Sequence, residues 1–512
     1  MVTLTSRGAA ALSGLAAGAV TLGVAELLAG LLTRLTTVEG TPSPLLAVAN
    51  AFVDLTPPWL KDFAVDTFGT ADKTALFVGM GLVLLAACAA IGLLARWLLA
   101  AGLVTFTLVG MVGVAAVLSR PGAAPTDILP TVAGVVVGAL VLAWFNRDAT
   151  TTAEVEMPGD LTRRSVLVGG GALAVVGVLG IVAGRVLSGA GEAVRAARDA
   201  FVVPRVAAPV TIPAAADPGV PGQTPYRTPN DDFYRIDTAL TVPQVDPATW
   251  RLRVHGMVEQ EVEIDMAELL DQPMVEALVT LACVSNYVGG NLAGNAVWTG
   301  WPVRELLARA RPHPEADMVL STSADGWTAG TPLEALTDER SSLLAVGMNG
   351  EPLPAQHGFP VRMVVPGLYG YVSATKWVVD LKVTRFADDE GYWTPRGWSE
   401  RGPIKTASRI DVPSGEIDAG PTVIAGVAWA QHRGIAAVEV RVDDGEWQPA
   451  TLAAEPTVDS WRMWMLDWDA TPGEHTLTVR ATDGNGEVQT ETFAPPAQDG
   501  SSGWHSVDVA VR

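Results

Sequence analysis

Cys283 is the residue in this 512-residue chain best placed to do unusual chemistry. The segment 278–301 reads LVTLACVSNYVGGNLAGNAVWTGW, so an apolar strand leads into the cysteine and a polar, glycine-rich loop follows. Strand ends and loops are where functional side chains concentrate. A free cysteine is by default a small buried apolar residue. The Val-Ser-Asn-Tyr-Val-Gly-Gly run after Cys283 is not core-like, however, and thiolates are soft metal ligands. The only other cysteine, Cys88, lies inside an apolar run, and no His-x-x-x-His spacing occurs, which excludes zinc and iron–sulfur sites. A lone thiolate ligand requires that the remaining ligands come from elsewhere, for instance from an organic cofactor. All six histidines stand at position 255 or later, so the apolar first half cannot offer paired imidazoles to a haem iron. No Cys-x-x-Cys-His occurs either, and no haem is expected in this chain.

The elements around Cys283 read as a mixed α+β domain over 226–402. TWRLRVHGMV, VEIDM, FPVRMVVPG and KWVVDLKVTRF carry strand patterns, whereas MAELLDQ and PVRELLARA carry helical ones. Over 403–512 the pattern changes to short, evenly spaced alternating strands: TVIAGVAWA, AAVEVRVDD, SWRMWMLDWDA and HTLTVRATD. Turn signals such as Asp443-Asp444-Gly445 and Asp483-Gly484-Asn485-Gly486 join them. This predicts an immunoglobulin-like β-sandwich without a disulfide, in which Trp461, Trp464 and Trp468 are core or interface by default. Residues 191–225, rich in Ala, Pro and Val, read as an extended linker.

Residues 1–190 hold almost all of the excess behind a 49% apolar composition. Five spanning helices are expected at roughly 9–33, 74–95, 97–118, 127–146 and 165–188. The stretch 44–69, with Pro57-Pro58 and several charges, reads as an amphipathic or surface segment and not as a sixth span. Arg7, Arg96, Arg147, Arg163 and Arg164 fall on one side if the N-terminus is cytoplasmic, which delivers everything after the fifth helix to the outside. Arg34, Lys61, Lys73 and Arg120 run against that pattern, as do Arg185, Arg195 and Arg198 just after the fifth helix. Residues 162–167, Thr-Arg-Arg-Ser-Val-Leu, read either as an internal twin-arginine export signal or as ordinary flanking arginines. Glu26 is the main intramembrane carboxylate, either a proton-path residue or one that reaches the headgroups. The default role of this half is an anchor, which places the protein in the cell membrane as a multi-pass chain. A net charge of −21 argues against nucleic-acid binding.

An ordered set of motifs from about 226 onward resembles the sulfite oxidase family of molybdopterin enzymes. The set runs TPNDDFYRIDTAL (228–240), DPATWRLRVHG (246–256), TLACVSN (280–286), NAVWTGWPVRELL (295–307), SADGWTAGTPLEAL (323–336), LLAVGMNGEPLPAQHGFPVRMVVPG (343–367) and YVSATKW (371–377). The resemblance implies that Cys283 ligates molybdenum beside the dithiolene of one molybdopterin. It assigns Phe233, Tyr234, Arg235, Ile236 and Asp237 to the first pterin-contacting stretch, with the register of the family's arginine shifted by about one residue. It carries cofactor contacts onto Asp325, His357, Arg362, Ala374, Thr375 and Lys376. A buried phosphate needs cations and donors, which Arg362 and Lys376 can supply. The C-terminal sandwich matches the family's dimerisation domain, so a homodimer is allowed.

The activity implied is oxygen-atom transfer on a small oxo donor or acceptor, with electrons passed singly to or from a separate carrier, a cytochrome or a quinone-linked partner. Sulfite oxidases place an arginine just after Cys-x-x-Asn, where this chain has Tyr287 and Val288. The family's active-site tyrosine corresponds to Trp398 in GYWTPRGWSERG (391–402). Losing a cation and a phenol weakens sulfite binding by a few kcal/mol unless Arg235, Arg396 or Arg401 compensates. Two other classes stay open: a sulfoxide- or N-oxide-type reductase of the same fold, and a non-catalytic membrane-tethered binding module.

Overall fold

The computed structural model describes residues 7–35, 40–57, 72–120, 122–146, 175–183 and 190–512, with isolated positions between them. They fall into two compact units, Met1–Ala193 with Ala239–Thr241, and Val194–Thr238 with Val242–Arg512.

The first unit is helical: α1 (Arg7–Leu35), α2 (Pro44–Leu55), α3 (Asp72–Trp97), α4 (Leu99–Leu118) and α5 (Leu129–Asn146). Four helical stretches, Arg7–Leu35, Lys73–Trp97, Leu99–Leu118 and Pro125–Asn146, are long and apolar enough to cross a membrane. α1 packs between its neighbours through small residues, with Gly14, Ala17, Gly18 and Ala25 buried. Small residues let helix backbones approach closely, as helix association in lipid favours. α3 and α4 instead turn Leu82, Val83, Leu108 and Val112 outward. Such a surface suits hydrocarbon and not water. α2 is short because Pro57-Pro58 follows, forcing Thr56 out of the helical region. The Glu26 carboxylate accepts hydrogen bonds from Ser43 Oγ at 2.8 Å and Leu45 N at 3.2 Å. The Glu26 carboxylate therefore serves the N-terminus of α2, where a negative group is stabilising. The fifth span expected at 165–188 and the Thr-Arg-Arg segment at 162–167 lie outside the described residues, apart from a helical stretch at 175–183.

The second unit is β-rich. β1 (Arg251–Gly256) and β2 (Val262–Asp265) lead into the short helix α6 (Met266–Leu270). β3 (Val275–Ala282) and β4 (Ala293–Pro302) form a hairpin followed by α7 (Val303–Ala310). β5 (Met318–Ser323), β6 (Thr328–Pro332), β7 (Leu343–Met348), β8 (Glu351–Pro352), β9 (Arg362–Val364) and β10 (Val378–Thr384) complete this part. Two sheets result, one ordered β2-β1-β10-β5-β6 and the other β3-β4-β7-β8, with β9 beside β7. β3 reads as a continuous apolar run because both of its faces are buried. Leu278 and Ala282 point into one core, and Ala277, Val279 and Leu281 into another.

The remaining strands are β11 (Ala407–Val412), β12 (Gly415–Ile417), β13 (Gly420–Trp429), β14 (Ile435–Val442), β15 (Gln448–Pro449), β16 (Thr451–Leu452), β17 (Arg462–Ala470), β18 (Gly473–Asp483) and β19 (His505–Val511). They build two sheets, β11-β13-β17-β16 and β12-β19-β18-β14-β15. Ile424 and Trp464 from the first share a core with Val440, Leu477, Val479 and Val509 from the second. The change of pattern expected at 402/403 is not a break between cores. Val427, Trp429, Trp461 and Met463 pack in the same cluster as Trp250, Leu278, Trp301 and Val383.

Candidate active site

Cys283 is the first residue beyond β3, at the point where the strand leaves a doubly buried sheet. Its backbone N–H donates to Leu292 O at 2.9 Å, and its carbonyl accepts from Asn286 N at 3.1 Å. The Asn286 side chain then accepts from Leu292 N at 2.8 Å. The 283–292 turn is thus closed on itself, and the thiol stays buried. Burial pushes the Cys283 thiol up, while hydrogen bonds from Ser285 act in the opposite direction.

The thiol opens on a cleft of about 150 Å³. Phe233, Tyr234, Ile236 and Asp237 line it from the segment before β1, Asp325 from the β5–β6 turn, and His357 and Arg362 from the stretch entering β9. Ala374, Lys376 and Trp398 complete the lining residues named from the sequence.

Three basic side chains meet here because Gly358 lets the chain turn sharply. Its φ is +111°, and a Cβ there would lie 2.9 Å from Arg362 Cβ and 3.2 Å from Lys376 Cα. Arg362 is 5% exposed and lies over the Trp298 ring at 4.9 Å. Its guanidinium donates to the carbonyls of His357 (3.0 Å), Met363 (3.3 Å) and Ala374 (3.4 Å). Among the described residues no carboxylate pairs with it, and burial pulls it down to about 10. Lys376 Nζ donates to Asp237 Oδ2 at 2.6 Å and to Gln356 O at 3.2 Å. Burial pulls Lys376 down to about 8, against the opposing pull of Asp237. His357 is held neutral, at about 3, by burial and by the charges of Arg362 and Lys376. Its Nε2 lies 3.2 Å from Asn230 O, to which it donates as the neutral ring.

Other residues named from the sequence sit elsewhere. Arg235 faces outward at the rim, its Nε donating to Asp237 Oδ2 at 2.9 Å. Thr375 points away from the cleft, between Ala374 and Lys376, and its hydroxyl lies 2.7 Å from Ser321 Oγ. Tyr287 stands at the tip of the turn, 57% exposed, and does not line the cleft. Arg396 and Arg401 do not line it either; Arg401 lies over the Phe386 ring. Tyr371, Trp327, Trp377 and Trp393 do line it and were not singled out from the sequence. All four belong to aromatic-bearing segments read there, but only the fold shows which way each ring points.

The donor set fits a molybdenum–pterin group. A buried thiol shares one cleft with a buried guanidinium that no carboxylate among the described residues pairs with, and such a charge calls for an anionic ligand. Among the described residues no group of three or more His, Cys, Asp or Glu converges as a metal site.

Residues 239–393 match the family described as the oxidoreductase molybdopterin binding domain. The chain is 34% identical over 157 residues to the uncharacterized oxidoreductase YuiH of Bacillus subtilis, covering 31% of this chain and 76% of that protein. The chain belongs to the sulfite oxidase family of molybdopterin-binding oxidoreductases. Mitochondrial sulfite oxidase of Homo sapiens is 30% identical over 341 residues, which cover 56% of this chain. The match spans 62% of the length of that sulfite oxidase. The sulfane dehydrogenase SoxCD from Paracoccus pantotrophus shares the fold, with a TM-score of 0.50 at 23% identity over 61% of this chain and 91% of that one. Cys283, His357 and Arg362 fall inside the family-matched segment; Phe233 to Asp237 precede it and Trp398 follows it.

Proposed function

We propose that the protein is a membrane-anchored molybdenum-cofactor oxidoreductase that transfers an oxygen atom to or from a small substrate outside the cytoplasm. The observation that carries this reading is the presence, in one cleft, of the buried Cys283 thiol and the buried Arg362 guanidinium, which among the described residues no carboxylate meets. Cys283 would hold the metal. Arg362, Lys376 and the neutral His357 would hold the phosphate and polar edge of the pterin, with Tyr234, Asp237, Asp325 and Ala374 around it. When bound, the group supplies two-electron oxygen-atom transfer.

The chain's own part is positional. The closed turn fixes Cys283, the hydrogen bonds from Ser285 favour the thiolate that a metal needs, and the aromatic wall limits water. Four long apolar helices with outward-facing Leu and Val support anchoring, and the arginine distribution supports an external catalytic unit. The two C-terminal sheets are read as an immunoglobulin-like module of the dimerisation type. A separate one-electron carrier would complete the cycle.

The test uses the full chain in detergent, purified from a molybdate-fed host. Wild type is expected to hold close to one molybdenum and one pterin per chain. Cys283→Ser should lose the metal and all turnover while its melting curve stays within a few degrees of wild type freed of cofactor. Wild-type material with neither molybdenum nor pterin would end this reading.

A further inference from the structure

The turn that presents Cys283 is gripped near its tip by three side chains from the C-terminal strands, and one of them can change charge in mild acid. Arg409 Nη1 donates to Gly290 O at 2.8 Å, and Ser501 Oγ donates to Asn286 O at 2.6 Å. The third is the His505 ring. It lies so close to Gly289 that a Cβ there would stand 2.2 Å from its Cδ2 and Nε2.

His505 can hold this position in one protonation state only. Its Nδ1 accepts a hydrogen bond from Ile410 N at 3.0 Å. A backbone N–H only donates, so Nδ1 must keep its lone pair and the ring proton must sit on Nε2. A proton added at Nδ1 would set two N–H groups against each other. It would also put a second cation beside Arg409, which has no freedom to swing away. That side chain is 7% exposed and is tied to Asp411 Oδ1 at 2.7 Å and to Thr224 Oγ1 at 2.9 Å. Arg409 and Ile410 are neighbours on β11, so the strand that grips Gly290 also sets the ring on Gly289.

The charged side chains that bear on the ring are Arg409 and Asp411. Burial and then Arg409 hold the ring below the ordinary histidine value of 6.5, with Asp411 acting the other way. On β18, Val479 pairs with His505, and the adjacent Arg480 is met by Glu439. Within the turn itself the ionisable side chains are Cys283 and Tyr287.

We infer that His505 is a positioning residue for the turn that carries Cys283, and that its protonation in mild acid releases the tip of that turn. The inference concerns the chain alone and holds whether or not a metal is bound at Cys283. Once the tip moves off, the ring is exposed and takes a proton near its ordinary value, so acid favours the open form. Opening therefore grows as pH falls below about 6.5, by up to about tenfold per unit. It levels off where the closed ring is itself protonated.

The test is hydrogen exchange on the full chain in detergent, freed of cofactor, from about pH 7 to about pH 5. Each rate is divided by that of the same sequence unfolded, which removes the intrinsic effect of pH on exchange. Wild type is expected to lose about fivefold or more of its protection over 284–292 across that range, while β13 and β17 change less than about twofold. His505→Asn places an acceptor oxygen near the position of Nδ1 and cannot titrate. It should match wild type at neutral pH and keep its protection in acid. Nitrogen spectra of wild type labelled in its histidines should show His505 protonated at Nε2 alone at neutral pH. A flat wild-type profile overturns the inference, as does a His505 proton on Nδ1 at neutral pH. An equal loss of protection in both proteins overturns it too, since the acid response would then lie on another group. The two wild-type measurements need no substitution and decide the matter if the variant does not fold.

Discussion

Lys376 is the residue at which the cofactor reading becomes a pH measurement. Burial brings its ammonium down to about 8 from an ordinary value of 10.5. An anionic phosphate favours the charged form, so binding raises this value again. The affinity of cofactor-free protein for pterin should therefore fall as pH rises through about 8, by up to about tenfold per pH unit. Lys376→Met should flatten that slope, and a pterin-fluorescence titration between pH 7 and 10 reads it directly. A flat wild-type profile would remove Lys376 from the phosphate site. The sign reverses for stability of the cofactor-free protein. The unfolded chain binds more protons between about 8 and 10.5, so stability rises with pH across that window. At this scale much of the cleft was legible, because Cys283, His357, Arg362 and Lys376 are chemically unusual residues in ordered motifs. Arg235, Tyr287 and Thr375 were not placeable, since a motif names residues without saying which way their side chains point. Tyr371 and Trp393 were hidden for the opposite reason: an aromatic side chain reads as core until the fold leaves a space beside it.

At the scale of elements, the turn that carries Cys283 is held from the C-terminal sheets. Arg409 on β11 donates to Gly290 O at 2.8 Å, and Ser501 Oγ donates to Asn286 O at 2.6 Å. The His505 ring packs on Gly289, where an added Cβ would sit 2.2 Å from its Cδ2 and Nε2. Nδ1 of that ring accepts from Ile410 N at 3.0 Å, which fixes its orientation. Gly289 also has φ +75°, so a side chain there is strained as well as crowded. Gly289→Ala is expected to cost about 1–3 kcal/mol. It should loosen the 283–292 turn while leaving β13 and β17 as they are. Hydrogen exchange should quicken at residues 284–292 alone, and molybdenum content should fall in step. Unchanged exchange and full metal content would show that the turn does not depend on this contact. The strands themselves were readable: alternation in TVIAGVAWA and AAVEVRVDD predicts β13 and β14, and the apolar run before Cys283 predicts β3. The clamp was not, because Arg409, Ser501 and His505 lie over a hundred positions from the turn and no local pattern connects them to it.

At the scale of the whole second unit, the sequence divides what the fold unites. The composition changes at 402/403, yet Trp461 on the C-terminal side is 1% exposed within the core that includes Leu278 and Trp301. Its backbone N–H donates to Thr280 Oγ1 on β3 at 2.8 Å, and its indole N–H to Tyr226 O at 2.8 Å. Gln431 donates to Thr280 O at 2.8 Å, and the Thr280 hydroxyl donates to Asn295 Oδ1 on β4 at 3.0 Å. A polar network of this kind, buried on all sides, ties the strand bearing Cys283 to the C-terminal sheets, and breaking one member exposes the rest to desolvation without partners. Pattern reading misses this because each half supplies its own credible periodicity, and a shared core leaves no mark in either. Residues on both sides of 402/403 should then unfold in one step. Trp461→Ala is expected to cost about 3–5 kcal/mol through the cavity and the lost hydrogen bonds. Heating the cofactor-free full chain in detergent should lower two signals by the same number of degrees: the exposure of Cys283 to a thiol reagent, and the loss of β-sheet circular dichroism. If the variant shifts the β-sheet signal while Cys283 stays protected to the wild-type temperature, the two halves unfold independently and the cluster they share is not a cooperative one.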